Sequence, residues 1–275
     1  MFNFNKLASL QVFQLLRYSA FVIIGIGFAK LQLSQTEIGR FETFIMVSGL
    51  VSFFWVSGII NSMLAVYPNK NEQEQKTILL STFLSLGLFS LLAGTFLFGF
   101  SQNLLAFLNK QGSGPLISLS AIYLLLSGPS FIAEYVLFLN DKKRAIIIYS
   151  IVSAVLTVAG ALLPVIIKGN TEFAMYGLVS LSFFRLVFTV ILLKKFATLK
   201  PDLGMLARTM AENLKLSAPL IASIFVSGSA EYIDGLIVKS KFEDNFFAVY
   251  RYGAKELPVL LIIANTQITC AKQKP

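Results

Sequence analysis

The 275-residue chain is 56% hydrophobic and only 13% charged, with 23 basic and 14 acidic residues. Soluble domains carry about 25% charged residues, so this composition excludes a globule whose surface is covered by polar side chains. The net charge of +9 then indicates the positive-inside rule of membrane proteins and not a nucleic-acid partner. The single cysteine, Cys270, excludes an intramolecular disulfide, and without histidine we expect no metal centre and no cofactor.

Apolar segments long enough to cross a bilayer, which takes about 20 residues each, recur along the whole chain. We predict eight spans, at about 7–29, 41–66, 78–100, 115–139, 145–167, 173–193, 216–238 and 246–270. The short loop with Lys142, Lys143 and Arg144 is the strongest indication of a cytoplasmic N-terminus, because basic loops stay inside. The sequence therefore predicts an all-α polytopic membrane protein.

The first span carries Arg17 near its middle, about 15 Å from either end. A charge at this depth costs about 2.5–3.5 kcal/mol on insertion scales, so Arg17 should face the bundle interior or a water-filled cavity. Gln11, Gln14 and Tyr18 share one arc of the same helix, and Arg17 lies just beyond its edge. We interpret this side of the helix as a ligand-binding face; a structural arginine that snorkels or is hydrogen-bonded is the alternative.

Two further charges lie inside the first six spans. Arg185, near the middle of the sixth span, shares a face with Ser182 and Thr189 and has no acid of its own helix nearby. Glu134, about 7 Å from the cytoplasmic end of the fourth span, is placed to pair with Arg17 or Arg185. Glu42 lies at a helix entrance, where charge costs little, and is interpreted as an interface anchor.

A basic connection interrupted by Pro201 divides the chain. We predict a six-helix lobe at 1–193, a cytoplasmic linker at 194–215 and the first two helices of a second, incomplete lobe at 216–275. Within the linker, Asp202–Lys215 is predicted to lie as an amphipathic helix on the anionic inner leaflet, or to be a plain connector.

The last two spans carry charges at matching depths. Glu231 and Asp234 share an arc of the seventh span, and Arg251 and Lys255 are four residues apart on the eighth. Their depths predict two interhelical ion pairs, Asp234 with Arg251 and Glu231 with Lys255. A direct role of the two bases in substrate binding is the alternative.

Four stretches carry a resemblance to a known family. They are Leu33-Ser-Gln-Thr-Glu-Ile-Gly-Arg-Phe41, Gly58-Ile-Ile-Asn-Ser-Met63, Glu231-Tyr-Ile-Asp-Gly-Leu-Ile-Val238 and Phe247-Ala-Val-Tyr-Arg-Tyr252. This pattern resembles bacterial polysaccharide and O-antigen flippases of the multidrug/oligosaccharidyl-lipid/polysaccharide exporter superfamily. The resemblance implies two six-helix lobes around a central cavity. Because the sequence stops after the eighth predicted span, we interpret the chain as a truncated member.

The resemblance implies transport and no enzymatic reaction. A polyprenyl-diphosphate-linked oligosaccharide would cross the bacterial inner membrane by alternating access, for polysaccharide or lipopolysaccharide assembly. Polysaccharide polymerase and assembly proteins, with membrane lipids, are the implied partners. Residues expected to hold the diphosphate or the sugars are Arg17, Arg185, Arg251, Lys255, Gln11, Gln14 and Asn61. Residues expected to act as charge partners or in coupling are Glu134, Glu231 and Asp234.

Two other functions compete with glycolipid transport. A cation-coupled multidrug exporter of the same superfamily would need buried acids in the first lobe, and the first span holds Arg17 and no acid. A non-transporting scaffold or inactive truncated fragment is the other alternative. The sequence has no P-loop, no dinucleotide-binding glycine pattern and, without histidine, no Ser-His-Asp triad.

Overall fold

A computed structural model describes residues 6–108, 115–197 and 202–253, with the side chains of Lys6, Leu7 and Glu231 left out of the description. The helices are α1 (Lys6–Lys30), α2 (Gln35–Val66), α3 (Glu72–Gly99), α4 (Ser101–Phe107), α5 (Leu116–Ser130), α6 (Ala133–Leu139), α7 (Lys143–Lys168), α8 (Glu172–Phe196), α9 (Leu203–Lys241) and α10 (Asp244–Gly253). Over these ranges no strand occurs, and six spans, or seven if α9 counts as one bent span, are long and apolar enough to cross a membrane. The protein is thus an all-α polytopic membrane protein, as predicted.

The predicted spans and the observed helices agree over the first six spans, the fourth being α5 and α6 together. The seventh predicted span lies inside α9, and α10 contains the beginning of the eighth. Residues 254–270 of the predicted eighth span, including Lys255, lie outside the described residues.

Local sequence explains where several helices begin and break. Ser34 caps α2 by accepting a hydrogen bond from the Glu37 N–H at 3.2 Å, and Asn71 with Glu74 forms a capping box at the start of α3. The fourth span breaks at residues 131–132, shortly after Pro129, since proline removes a backbone donor and crowds the preceding turn. This break orients Phe131 and the first turn of α6 independently of α5.

The helices pack as a bundle in which consecutive elements are not always neighbours. α1 packs along α7, α7 along α8, α8 along α5, and α5 along α2 and α3. α1 and α2 meet near one end, where the Phe28 and Phe41 rings lie 5.0 Å apart, centroid to centroid. We call the end with the connections at residues 67–71, 140–142 and 197–202 the basic end, and the end with those at 31–34 and 169–171 the opposite end.

Helix α9 contradicts one prediction made for the linker. Asp202 caps it through a hydrogen bond from the Gly204 N–H at 2.9 Å, and the helix then continues to Lys241. Residues 203–215 are therefore the first part of a long helix and do not form a separate helix on the leaflet. The reason is visible at Asn213, which is 4% exposed and is hydrogen-bonded to Ser62 of α2 and Thr82 of α3.

The helices assigned to the predicted second lobe, α9 and α10, pack against helices of the predicted first lobe. α9 packs along α2 and α3, and α10 packs against α2, so both contact the first six spans closely. At Gly39, an added Cβ would lie 2.0 Å from the carbonyl oxygen of Asp244. The division at residues 193 and 215 stays a prediction.

Candidate functional site

Arg17 is partly buried near the centre of α1 and contacts an aromatic ring. Its guanidinium carbon lies 4.4 Å from the centroid of the Phe131 ring. A cation at this distance over a ring face is attracted by the ring quadrupole, and the attraction grows when water is excluded. Phe131 can occupy this place because the fourth span breaks there. Neither this ring contact nor its position in the break was apparent from the sequence.

Glu134 lies one turn further along the same span, in the first turn of α6, and is 3% exposed. Its carboxylate interacts electrostatically with both Arg17 and Arg185. Across the described ranges, no ion pair of 4.0 Å or less joins Glu134 to either arginine. Glu134 therefore does not form the predicted close ion pair with one arginine and interacts at longer range with both Arg17 and Arg185.

Arg185 projects from α8 onto α7, where hydroxyl groups receive it. Its Nη2 donates hydrogen bonds to Ser153 Oγ and, at 2.8 Å, to Thr157 Oγ1. The Arg185 Nε is buried and has no hydrogen-bond partner. Ser153 and Thr157 are neutral, so they orient the guanidinium without cancelling its charge. The sequence carried a signal for them: Ser150, Ser153 and Thr157 follow a helical spacing within an otherwise apolar span.

The two predicted glutamines lie on α1 near these arginines, and the predicted asparagine does not. The Gln14 amide lies beside the Tyr135 hydroxyl, which follows Glu134 on α6. Gln11 is partly buried on the same helix. Asn61 lies on the exposed side of α2, and nothing in the described part of the chain connects it to the arginines. We call Arg17, Phe131, Glu134 and Arg185 the arginine cluster.

The predicted pairing of Arg251 is wrong. Its Nε lies 3.6 Å from the Glu42 Oε2, and the Glu42 side chain is 4% exposed. Asp234, the predicted partner, is exposed and forms no ion pair with any residue that the structure describes. Glu42 at the start of α2 is buried because α10 packs against α2. Depths along α9 and α10 do not reveal this contact, since it involves a third helix. The other predicted pair, Glu231 with Lys255, lies outside the description.

A second buried cation occupies the opposite end. Lys239 is 1% exposed; its Nζ lies 3.2 Å from Asp244 Oδ1 and donates a hydrogen bond to the Leu108 carbonyl oxygen at 3.3 Å. With Glu42 and Arg251 it anchors α10 and the end of α9 to the bundle, so Arg251 has a structural partner that Arg17 and Arg185 lack.

The arginine cluster has the chemistry of an anion site. Two guanidinium groups interact electrostatically with one carboxylate, which leaves an excess positive charge in an apolar environment where ionic contacts are strong. No group of three or more Cys, Asp or Glu side chains that could hold a metal occurs within residues 6–108, 115–197 and 202–253. Apolar grooves of about 510 Å³ run between α7 and α8 and between α1 and α7.

Most of the chain is similar to a known protein family. A family model described as "Polysaccharide biosynthesis protein" matches residues 29–271. Glu134 and Arg185 lie within the matched residues, and Arg17 lies twelve positions before their start. No curated protein and no solved structure matches the chain.

Proposed function

Because the chain belongs to the polysaccharide biosynthesis protein family, with a role in polysaccharide assembly or export, we propose that it translocates a lipid-linked oligosaccharide across the membrane. The family membership confirms the resemblance seen in the sequence. The substrate of the proposal is a polyprenyl-diphosphate-linked oligosaccharide, moved by alternating access across the bacterial inner membrane. No bond is made or broken in this transport.

The observation that carries the proposal is the environment of the Arg17 side chain. It lies near the centre of a membrane-length helix, it is partly exposed, and it contacts the aromatic ring of Phe131. Within the described residues no carboxylate forms an ion pair with it. A charge kept at this depth is costly, and buried charges in membrane proteins commonly mark substrate or ion pathways.

A diphosphate fits the cluster better than a cation does. Guanidinium groups bind phosphate oxygens through paired, charge-assisted hydrogen bonds. Arg17 and Arg185 both interact electrostatically with Glu134, and one carboxylate balances only one of the two cations, so an arriving diphosphate supplies further negative charge. Gln14 is exposed beside Tyr135, and its amide would hydrogen-bond sugar hydroxyls in this proposal. The apolar faces of the helices guide the polyprenyl tail.

The same geometry disfavours the cation-coupled multidrug exporter. That function needs a buried acid in the first lobe, and Glu134 is such an acid. Its neighbours, however, are two arginines, whose positive field repels a cation or a cationic drug. An inactive scaffold gives no reason to keep Arg17 and Arg185 at membrane depth.

The test is transport in proteoliposomes that contain the full chain and a fluorescent polyprenyl-diphosphate sugar, with dithionite quenching as the measure of crossing. We expect Arg17→Ala to lower the rate by about 10–100-fold, which corresponds to the loss of a hydrogen bond to a charged group of roughly 1.5–3 kcal/mol. Arg17→Lys retains part of the rate, because it keeps the charge and loses the fork geometry. Arg17→Glu abolishes it.

The matched control is Arg208→Gln, which removes an arginine that is exposed at the basic end and paired with Glu212 at 3.0 Å. It should leave the rate within about twofold of the wild type. A wild-type rate equal to that of protein-free liposomes would overturn translocation. Full rates in all three Arg17 variants would overturn the role of Arg17.

A further inference from the structure

A groove of about 510 Å³ lies on the outside of the bundle between α7 and α8. It begins at the basic end, at Lys142 and Lys195, and reaches Leu156 on α7 and Leu181 on α8. Its apolar wall includes the stacked rings of Tyr149 and Phe188, whose centroids are 5.2 Å apart. This groove is separate from the contact between Arg17 and Phe131.

The length of the groove matches one leaflet. From Lys142 to Leu156, α7 rises about 21 Å at 1.5 Å per residue. Half of a bilayer, including its headgroup region, measures about 20–22 Å. A groove of this length therefore extends from the headgroup level at one surface to the middle of the membrane.

The walls of the groove are apolar and face outward. Val152 is 49% exposed, Leu156 47%, Phe184 66% and Ile148 62%, so the described residues leave these side chains uncovered. In a bilayer they contact hydrocarbon chains. The concave shape, in contrast to a flat helix face, allows a chain to contact both α7 and α8 along its length.

The mouth of the groove is positively charged. Lys142 is exposed, and Lys195 holds its Nζ 5.6 Å from the centroid of the Phe196 ring. Within the part of the chain that the structure describes, neither lysine forms an ion pair. Lys143, Arg144 and Lys194 add positive charge nearby, while Asp141 is the acid of the loop. Basic residues at this level attract anionic lipid headgroups.

The inner end of the groove contains Arg185. Hydroxyls of Ser153 and Thr157 hold its Nη2, and its buried Nε has no hydrogen-bond partner. A chain that fills the groove covers this side of the guanidinium. The filled groove would keep mobile bilayer chains and water away from Arg185, which shares Glu134 with Arg17.

We propose that the groove between α7 and α8 binds one anionic phospholipid from the leaflet at the basic end, with its phosphate between Lys142 and Lys195 and an acyl chain along Val152 and Phe188. The cations at the mouth stand at headgroup level, which suits a lipid that belongs to the leaflet. A lipid carried to the arginine cluster would need its phosphate much deeper. The bound lipid is therefore a permanent neighbour of Arg185 and not the transported molecule.

Native mass spectrometry of the full chain, titrated with phosphatidylglycerol or phosphatidylcholine, tests the site. We expect the first phosphatidylglycerol to bind roughly tenfold more tightly than phosphatidylcholine in the wild type, and Lys142→Gln/Lys195→Gln to abolish this preference. The matched control is Lys143→Gln/Lys194→Gln, which removes equal charge from adjacent positions that do not line the groove. The control variant should keep the preference for phosphatidylglycerol within about twofold of the wild-type preference.

A second pair of variants tests the acyl-chain contact without changing charge. Val152→Trp fills the groove and should weaken the first adduct of both lipids, whereas Ile191→Trp, at a 58% exposed position of α8 outside the groove, should not. Both positions are exposed, so thermal unfolding should show both variants folded.

Three kinds of result would overturn the proposal. The first is a failed comparison of variants: an equal loss of preference in the two double-lysine variants, or an unchanged first adduct in Val152→Trp. The second is displacement of the bound phosphatidylglycerol by polyprenyl phosphate at lower concentration, which would assign the groove to the transported lipid. The third is a dimer that Val152→Trp disrupts, which would assign it to a second copy of the chain.

Discussion

Three arginines at membrane depth are accommodated in three different ways. Arg17 contacts the Phe131 ring, Arg185 donates hydrogen bonds to hydroxyls of α7, and Arg251 forms an ion pair with Glu42. Only the third arrangement cancels the charge. Ring and hydroxyl partners make a guanidinium tolerable and leave it able to bind an anion, so the residues best suited to a ligand are Arg17 and Arg185.

The charge balance of the arginine cluster leads to a stability prediction. Glu134→Gln removes the acid that Arg17 and Arg185 share, and we expect a loss of about 1–3 kcal/mol in the free energy of unfolding, seen as a lower Tm in detergent. Adding Arg185→Gln should restore at least half of the loss, because it removes one of the two uncompensated cations. Glu212→Gln, from an exposed pair, is the control and should change stability by less than about 0.5 kcal/mol. A Tm unchanged by Glu134→Gln would show that this carboxylate does not stabilise the two cations.

The Arg251 pairing is tested by a double-mutant cycle. Glu42→Gln and Arg251→Gln should each destabilise the protein, with a coupling energy of about 1–2 kcal/mol, because each change removes one charge of a buried ion pair. The same cycle with Asp234→Asn in place of Glu42→Gln should give a coupling below about 0.5 kcal/mol, since Asp234 is exposed. Chemical unfolding in mixed micelles measures both coupling energies. Coupling to Asp234 and none to Glu42 would contradict the structure.

Part of the site could be read from the sequence at the level of single residues. Arg17, Glu134 and Arg185 stand out because ionisable residues are rare in apolar spans. Their partners are harder to find: Phe131 is an ordinary residue in such a helix, and the helical spacing of Ser153 and Thr157 marks a polar face without showing which helix lies opposite. The error at Arg251 has the same origin, since its partner Glu42 is far away in the sequence.

At the level of the helices, hydropathy located the spans but did not show which of them touch. Spans follow from the length of apolar runs, which is a local property. Contacts between spans depend on shape, and small residues decide how closely two helices approach. The close contact of α7 and α8 is an example: an added Cβ at Gly177 would lie 1.8 Å from the Gly160 carbonyl oxygen.

The close contact at Gly177 leads to a prediction about stability, and Gly160 provides the matched control. Gly177→Ala should destabilise the protein by about 1–3 kcal/mol, because the new methyl group must push α7 and α8 apart. An added Cβ at Gly160 meets the Gly177 carbonyl oxygen at 3.5 Å, an ordinary contact, so Gly160→Ala should be neutral or stabilising by up to about 1 kcal/mol through helix propensity. Thermal unfolding of both variants in the same detergent measures the difference. Equal Tm values would show that the two helices are not in close contact here.

The basic side chains are distributed differently at the two ends of the bundle, which is a property of the whole molecule. The groove between α7 and α8 opens at the basic end. The basic residues of this end include Lys142, Lys143, Arg144, Lys194 and Lys195. At the opposite end Lys30, Lys168 and Lys241 are exposed, and Lys239 is buried in an ion pair with Asp244. An anionic inner leaflet retains exposed basic loops, whereas a cation already paired inside the bundle contributes little to orientation. A cytoplasmic basic end stays a prediction of the positive-inside rule.

This orientation is tested with single cysteines in a Cys270→Ser background. Asp141→Cys lies in the exposed loop of the basic end and Lys168→Cys at the exposed end of α7 on the opposite side. We expect a membrane-impermeant maleimide to label Lys168→Cys in intact bacterial cells and Asp141→Cys only after permeabilisation. Labelling of both in permeabilised membranes is the control for reactivity. The reverse pattern would place the basic end outside, and the groove would then draw its lipid from the outer leaflet of the same membrane.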